Sequence, residues 1–160
     1  MSHNTASVDP SPLGNRLDFN FSGRWARNRF LKAAMSERLS TWSEDDLSAR
    51  GIPSDELVKA YRVWGKGDIG MILTGNVMID TQQLETEGNL IIPGDAPFSG
   101  QRFEQFKKLA DGSRAHGSLL VAQVFNQDQM YRYYGTTVLS LLEGLPPWAT
   151  DTLPSSAQSY

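Results

Sequence analysis

Cysteine is absent from the 160 residues of this chain, and its absence excludes several kinds of chemistry. Without a thiol the chain has no disulfide, no thiolate nucleophile and no cysteine-bound zinc or iron–sulfur cluster. No apolar run approaches the ~20 residues that a membrane span needs, so no membrane segment is predicted. The net charge is −3, which argues against the basic surface that nucleic acids bind. We therefore expect a soluble, cytoplasmic protein with no nucleic-acid or membrane partner.

The polarity of the sequence divides the chain into three parts. Residues 1–16 are polar with little to bury, and they are predicted to be a disordered leader. Residues 17–124 carry the apolar periodicities of folded elements and form the predicted domain. Residues 125–160 are predicted to be an atypical tail, partly disordered, with one or two helical turns from Val138 to Leu145.

Strands and helices alternate within the predicted domain. An N-terminal hairpin is predicted where Leu17 to Phe21 alternates apolar and polar residues and Ser22-Gly23 turns the chain. Three apolar runs are predicted as buried parallel strands: Phe30 to Met35, Ile69 to Thr74 and Ser118 to Val124.

Two amphipathic helices are predicted between these three strands. One begins after Ser54, and Ser99 is expected to cap the other. Residues 80–97 are predicted to be a loop. The alternation is typical of an α/β fold with right-handed crossovers, and we expect the first three βα units of a (β/α)8 barrel.

The ends of the predicted strands carry small and polar residues. Ala34, Met35 and Ser36 follow the first strand, Gly75 follows the second, and Gln123 lies near the end of the third. In a parallel barrel such ends face the active site, and one hydroxyl and one amide there suit a flat cofactor with polar edges.

Each of these residues also has a simpler interpretation. Ser36 could cap a loop, Gln123 could be an ordinary polar strand end, and Gly75 could be a turn glycine. Glu37 and Arg38 are interpreted as an exposed loop pair. We predict no catalytic residue and no metal ligand from the sequence.

At several segments the chain resembles the Old Yellow Enzyme family of FMN-dependent oxidoreductases, in its fungal form. The matching segments, in order, are Asn28 to Arg38, Gly70 to Met78, Gly88-Asn89, Ala96 to Phe103 and Ala115 to Gln123. Each segment alone is weakly specific, but their order and spacing together are specific. The resemblance covers about residues 19 to 124.

The resemblance implies a barrel that holds FMN at the carboxyl ends of its strands. Ala34, Met35 and Ser36 would line the isoalloxazine ring, with the Ser36 hydroxyl near its O4 and N5 atoms. Gly75 would let the ring edge approach, and the Gln123 amide would bind the pyrimidine side.

The implied reaction passes a hydride from NAD(P)H through the flavin to a small activated alkene. By the same resemblance, a role in fungal secondary metabolism is expected.

The sequence departs from the family pattern after Val124. The family continues with a segment like His-Pro-Gly-Arg, whereas this chain has Phe125 and Asn126. The family's substrate-binding pair, proton-donating tyrosine and phosphate-binding loops have no counterpart, and a whole barrel needs about 250 residues. The alternative expectation is therefore a truncated, non-catalytic fragment or interaction protein that associates through open sheet edges.

Overall fold

The structure is a computed structural model that describes residues 8–125 and the backbone of residues 137–139. Its centre is a five-stranded sheet with two helices packed on one face. The strands are β1 (Leu17–Phe19), β2 (Arg24–Ala26), β3 (Leu31–Lys32), β4 (Met71–Met78), β5 (Leu90–Ile91), β6 (Leu119–Phe125) and β7 (Thr137–Leu139). The helices are α1 (Asp55–Lys66) and α2 (Gly100–Arg114), and short 3-10 helices lie at Ser11–Gly14 and Leu47–Ala49.

Three parallel strands form the centre of the sheet in the order β3, β4, β6. Met71 of β4 is the register partner of both Leu31 of β3 and Leu119 of β6. Helix α1 lies in the connection from β3 to β4, and α2 lies in the connection from β4 to β6. The predicted α/β alternation, that of an incomplete (β/α)8 barrel, is confirmed.

The loop predicted over residues 80–97 contains a strand that the sequence did not indicate. Strand β5 pairs in parallel with Val77 and Met78 at the carboxyl end of β4. Because β6 takes the other edge of β4, β5 occupies the edge that β3 occupies near the amino end of β4. This pairing returns the loop to the carboxyl rim of the sheet.

The bounds of the central strands differ from the predicted ones. Strand β3 is only two residues long, and its backbone pairing with β4 ends after Lys32. Beyond that point, the segment is held by the side-chain contact between Lys32 and Glu37. Strand β4 continues to Met78, and its register with β6 shifts between Leu73 and Asn76. Because such an irregularity changes which face the next residues occupy, it decides the side on which Asn76 lies.

The hydrophobic core lies between the sheet and the two helices. Its buried members are Leu57, Val58, Tyr61, Ile72, Val77, Leu90, Leu109, Leu120 and Ala122. Side chains alternate between the two faces of a strand, so the neighbours of these strand residues lie on the face turned away from the helices. That second face includes Leu31, Asn76 and Gln123, from β3, β4 and β6 in turn.

The two helices begin differently. The Ser54 hydroxyl oxygen accepts a hydrogen bond of 3.1 Å from the Leu57 N–H, as its position before Asp55 and Glu56 indicates. Ser99 is the residue before α2, but its side chain makes no capping hydrogen bond. Its predicted capping role is therefore wrong.

The N-terminal hairpin is present, with Leu17 opposite Ala26 in antiparallel pairing. Within the segment predicted to be a leader, Ser11–Gly14 forms a 3-10 helix, and the Leu13 carbonyl accepts a hydrogen bond of 2.9 Å from Arg29 N–H. Residues 1–7 lie outside the described residues.

Strand β7 lies antiparallel to β6, with Val138 opposite Gln123. The predicted helical turn is therefore wrong for Val138 and Leu139. The free edge of a central strand offers unpaired N–H and C=O groups, which an extended segment satisfies. The remainder of the predicted tail after Phe125 lies outside the described residues. Neither helix of the described residues is long and apolar enough to cross a membrane.

Candidate functional site

The candidate site is the carboxyl rim of β3, β4 and β6. Asn76 and Gln123 are register partners on the sheet face opposite the helices, and the Gln123 Nε2 donates to Asn76 Oδ1 at 2.9 Å. The segment 34–36 follows β3 at the same end. The structure therefore brings the three predicted strand ends to one rim.

A single carboxylate joins the polar side chains of this rim. Ser36 donates its hydroxyl hydrogen to Glu85, with its Oγ 3.0 Å from Oε1 and 2.9 Å from Oε2. The side-chain amides of Asn76 and Asn89 donate to Glu85 Oε2 at 2.9 and 3.2 Å. Ser36 and Gln123 are thus connected through Glu85 and Asn76, two residues that were not predicted as site residues.

The Glu85 carboxylate is held in its ionised form. Partial burial raises its pKa, but the hydrogen bonds from Asn89, Ser36 and Asn76 and the nearby charge of Arg38 outweigh that effect. The net result is a pKa below the usual value for a glutamate. At neutral pH the rim therefore carries a negative charge surrounded by hydrogen-bond donors.

The Thr74 side chain binds the Gln123 backbone at the point where the pairing of β4 with β6 is irregular. The Gln123 N–H donates to the Thr74 Oγ1 at 3.0 Å, and the same hydroxyl donates to the Gly75 carbonyl at 2.7 Å. Thr74 is completely buried. The Thr74 hydroxyl thus takes the place of a backbone carbonyl as the acceptor for the Gln123 N–H, and it fixes the position of Gln123.

Gly75 is buried, and its neighbours explain why glycine stands there. A Cβ atom on Gly75 would collide with the Met35 carbonyl oxygen and the Glu37 carboxylate, whose Cδ would be 3.1 Å away. The Gly75 N–H donates to Tyr61 Oη at 3.1 Å. The small residue is therefore required by the close approach of segment 35–37, in addition to any role toward a ligand.

Behind the rim lies a buried ion pair. Lys32 Nζ is 3.3 Å from Glu37 Oε1, with the two side chains 10% and 6% exposed, and Tyr61 Oη donates to the same carboxylate at 2.6 Å. The Lys32 ammonium also lies 4.2 Å from the centre of the Trp64 ring. The interpretation of Glu37 as an exposed loop residue is therefore wrong, because Lys32 draws it inward as a counter-ion.

This packing changes the pKa values of Lys32 and Tyr61, the two side chains that contact the Glu37 carboxylate. Burial lowers the pKa of Lys32, and the neighbouring Glu37 opposes that change. Burial, reinforced by the Glu37 charge, raises the pKa of Tyr61 well above its usual value. The Tyr61 hydroxyl therefore stays protonated and serves as a donor.

The remaining predicted residues are accessible. Ala34 is half-buried, Ser36 is exposed, and the Met35 side chain is 51% exposed. A pocket of about 640 Å³ lies elsewhere, at the amino ends of the strands, beside Asn28, Leu31 and Ile69. Because parallel barrels bind ligands at the carboxyl ends, we assign the site to the rim and not to this pocket.

The polar rim was only partly foreseeable. Asn76 and Asn89 lie inside segments that carry the family resemblance, but no pattern in those segments predicted a role for them. Glu85 lies in a polar loop with several acids, and only the pairing of β5 with β4 brings it to Ser36.

The chain is similar to fungal flavin enzymes. Over 118 residues it is 60% identical to an NADH-dependent flavin oxidoreductase of Aspergillus parasiticus, a match covering 74% of this chain and 27% of that protein. Over 97 residues it is 31% identical to another, from Hypocrea jecorina, covering 61% and 22%. No family model matches the chain.

Solved structures share the fold. The old yellow enzyme from Trypanosoma cruzi superposes with a TM-score of 0.58 at 20% identity, covering 72% of this chain and 27% of that one. The Old Yellow Enzyme from Pichia sp. AKU4542 gives 0.56 at 16% identity, covering 72% and 26%. The resemblance to the Old Yellow Enzymes is confirmed.

The described sheet and helices thus share the fold of part of the Old Yellow Enzyme barrels. The chain spans about a quarter of the length of the curated relatives it matches, 27% of one and 22% of the other.

Proposed function

We propose that this chain provides the flavin-facing rim of an FMN-dependent NAD(P)H oxidoreductase of the ene-reductase type. The observation that carries the proposal is the connected set of Ser36, Asn76 and Gln123 at the carboxyl ends of three neighbouring strands. The 60% identity to an NADH-dependent flavin oxidoreductase supports a flavin as the ligand of this rim.

The chemistry of these residues fits the polar edge and the apolar face of a flavin. The Gln123 side chain offers an amide donor and an acceptor toward the pyrimidine edge. By the resemblance, the Ser36 hydroxyl oxygen would approach the flavin O4 and N5 atoms. The exposed thioether of Met35, with Ala34 beside it, would offer apolar surface to the ring. When bound, FMN would supply the hydride chemistry between a nicotinamide and an activated alkene.

The finer parts of the proposal rest on the resemblance. We propose FMN as the flavin, NADH or NADPH as the reductant and a small activated alkene as the substrate. A cytoplasmic location and a role in fungal secondary metabolism belong to the same proposal. The names of the relatives specify NADH for those proteins.

The test is a titration of the purified 160-residue chain with FMN, followed by the change in flavin fluorescence. We expect saturable binding, and the Gln123→Ala variant should bind about tenfold more weakly, since one net hydrogen bond is lost. Gln101→Ala, on the exposed first turn of α2, is the matched control and should bind like the unchanged chain.

Two results would contradict the proposal. The first is an unchanged chain, shown to be folded by circular dichroism, that leaves FMN fluorescence unaltered at any concentration. The second is an equal loss of affinity in Gln123→Ala and Gln101→Ala, which would place the flavin elsewhere.

A second candidate function is that of an interaction module without its own catalysis. It is favoured by the exposure of Leu31, 55% exposed on the sheet face turned away from the helices. In a complete barrel that face is covered by the other strands. A folded chain that fails to bind FMN but associates through this face would favour the second candidate.

A further inference from the structure

Glu85 receives hydrogen bonds from three different parts of the fold. Its donors are Ser36 after β3, Asn76 on β4 and Asn89 just before β5. A surface glutamate is usually solvated and has few fixed side-chain partners. Here one carboxylate is the common acceptor for the rim residues of two strands and for its own loop.

The loop that carries Glu85 is itself well anchored. Asn89 is 3% exposed, and its Oδ1 accepts a hydrogen bond of 2.8 Å from the Thr86 N–H. The next residues, Leu90 and Ile91, are buried and pair with β4. The buried Asn89 therefore holds the Glu85 carboxylate from its own loop, in addition to the donors on the rim.

An ionised carboxylate can only accept hydrogen bonds, so every side chain bound to Glu85 must turn a donor group toward it. Ser36 has one hydroxyl hydrogen, and donating it to Glu85 leaves only the oxygen lone pairs to face a ligand. Asn76 must turn its NH₂ group to Glu85, so its carbonyl oxygen faces Gln123 and takes the Gln123 NH₂. The orientation of the Gln123 amide is thus determined by a residue that does not touch it.

We propose that Glu85 is a positioning residue that orients Ser36 directly, and Gln123 through Asn76, toward the bound cofactor. This inference rests on the proposed function, since it assigns these side chains to the flavin edge. In Glu85→Gln the side chain keeps nearly the same shape but can both donate and accept hydrogen bonds. It would therefore no longer determine which way the amides of Asn76 and Gln123 are turned. An alanine there would remove the common acceptor altogether.

The test compares Glu85→Gln and Glu85→Ala with Glu87→Gln, an exposed acid two residues away. The first measurement is the NMR spectrum of the side-chain amides of Asn76 and Gln123 in the full chain without flavin. We expect both amide groups to shift in Glu85→Gln and Glu85→Ala and to stay unchanged in Glu87→Gln. The second measurement is the FMN titration, where we expect about tenfold weaker binding in both Glu85 variants, equivalent to one net hydrogen bond.

The two measurements separate this inference from the proposed function. If the NMR signals of the Asn76 and Gln123 side-chain amides do not shift in Glu85→Gln, the positioning role is overturned, regardless of the FMN affinity. Shifted amides with FMN affinity equal to that of the unchanged chain would overturn the role toward the cofactor and leave the proposed function intact. Shifted amides in a chain that never binds FMN would overturn the proposed function and leave the positioning of the rim in place.

Discussion

At the scale of single residues, the rim depends on a buried ion pair that lies behind it. Lys32 and Glu37 form a pair that is almost fully buried. Burying either charge alone would be costly, so each requires the other. The pair holds segment 35–37 against β4, where Gly75 leaves room for it.

We expect Gly75→Ala to destabilise the fold by about 1–3 kcal/mol, the range for overpacking a filled site. The reason is that the new methyl group would meet the Met35 carbonyl oxygen and the Glu37 carboxylate, which cannot both move aside. The measurement is urea unfolding followed by circular dichroism. Gly94→Ala is the control, because a Cβ atom there has no neighbour within 4 Å. An equal effect of the two substitutions would show that Gly75 is not tightly packed.

At the scale of elements, the helices follow local signals, whereas the strands at the rim depend on their neighbours. Helix α1 begins at its serine cap and lays Leu57, Val58 and Tyr61 on the core. Strand β5 is only two residues long and exists because the edge of β4 is available to it. Its pairing is what brings Glu85 and Asn89 to the site.

We expect Ser54→Ala to lower the free energy of unfolding by about 1 kcal/mol, the usual cost of losing a helix cap. Ser99→Ala is the matched variant, and it should change stability by less than about 0.5 kcal/mol because Ser99 makes no capping hydrogen bond. Both values come from chemical denaturation of the purified variants. A larger loss in Ser99→Ala than in Ser54→Ala would contradict the observed capping.

At the scale of the whole molecule, the sheet is covered by helices on one face, and apolar side chains are exposed near β3. Phe30, Leu31 and Met35 are 52%, 55% and 51% exposed. Exposed large apolar side chains such as these favour contact with another protein segment or self-association. Strand β7 covers the edge of β6, so we expect self-association of the chain to involve β3, at the opposite edge of the sheet.

We expect the purified chain to self-associate in a concentration-dependent manner, measured by sedimentation velocity. Leu31→Gln should weaken association by about tenfold, since one exposed leucine contributes roughly 1–2 kcal/mol when it is covered. Val63→Gln, at a 58% exposed position on α1, is the control and should leave association unchanged. A chain that stays monomeric at every concentration, or an equal effect of both variants, would contradict this expectation.

Local patterns in the sequence predict the order of the elements and the end of the sheet on which the candidate site lies. Helix caps, apolar periodicity and continuous apolar runs act over a few neighbouring residues, so they could be read without knowing the fold. The predicted strands placed Ser36, Gly75 and Gln123 toward the carboxyl ends, and the parallel topology brings those ends to one rim. The prediction that Gly75 follows its strand is wrong, because β4 continues to Met78.

The arrangement of the side chains at that rim depends on tertiary contacts. The hydrogen bond from Tyr61 to the inward-facing Glu37, the register shift before Asn76 and the placement of Glu85 beside Ser36 each depend on contacts between segments far apart in the chain. An acid has the same local signal whether it faces water or a buried lysine, and a loop does not indicate which strand edge it will meet. The free energy that selects these arrangements arises only when the strands and helices have packed together.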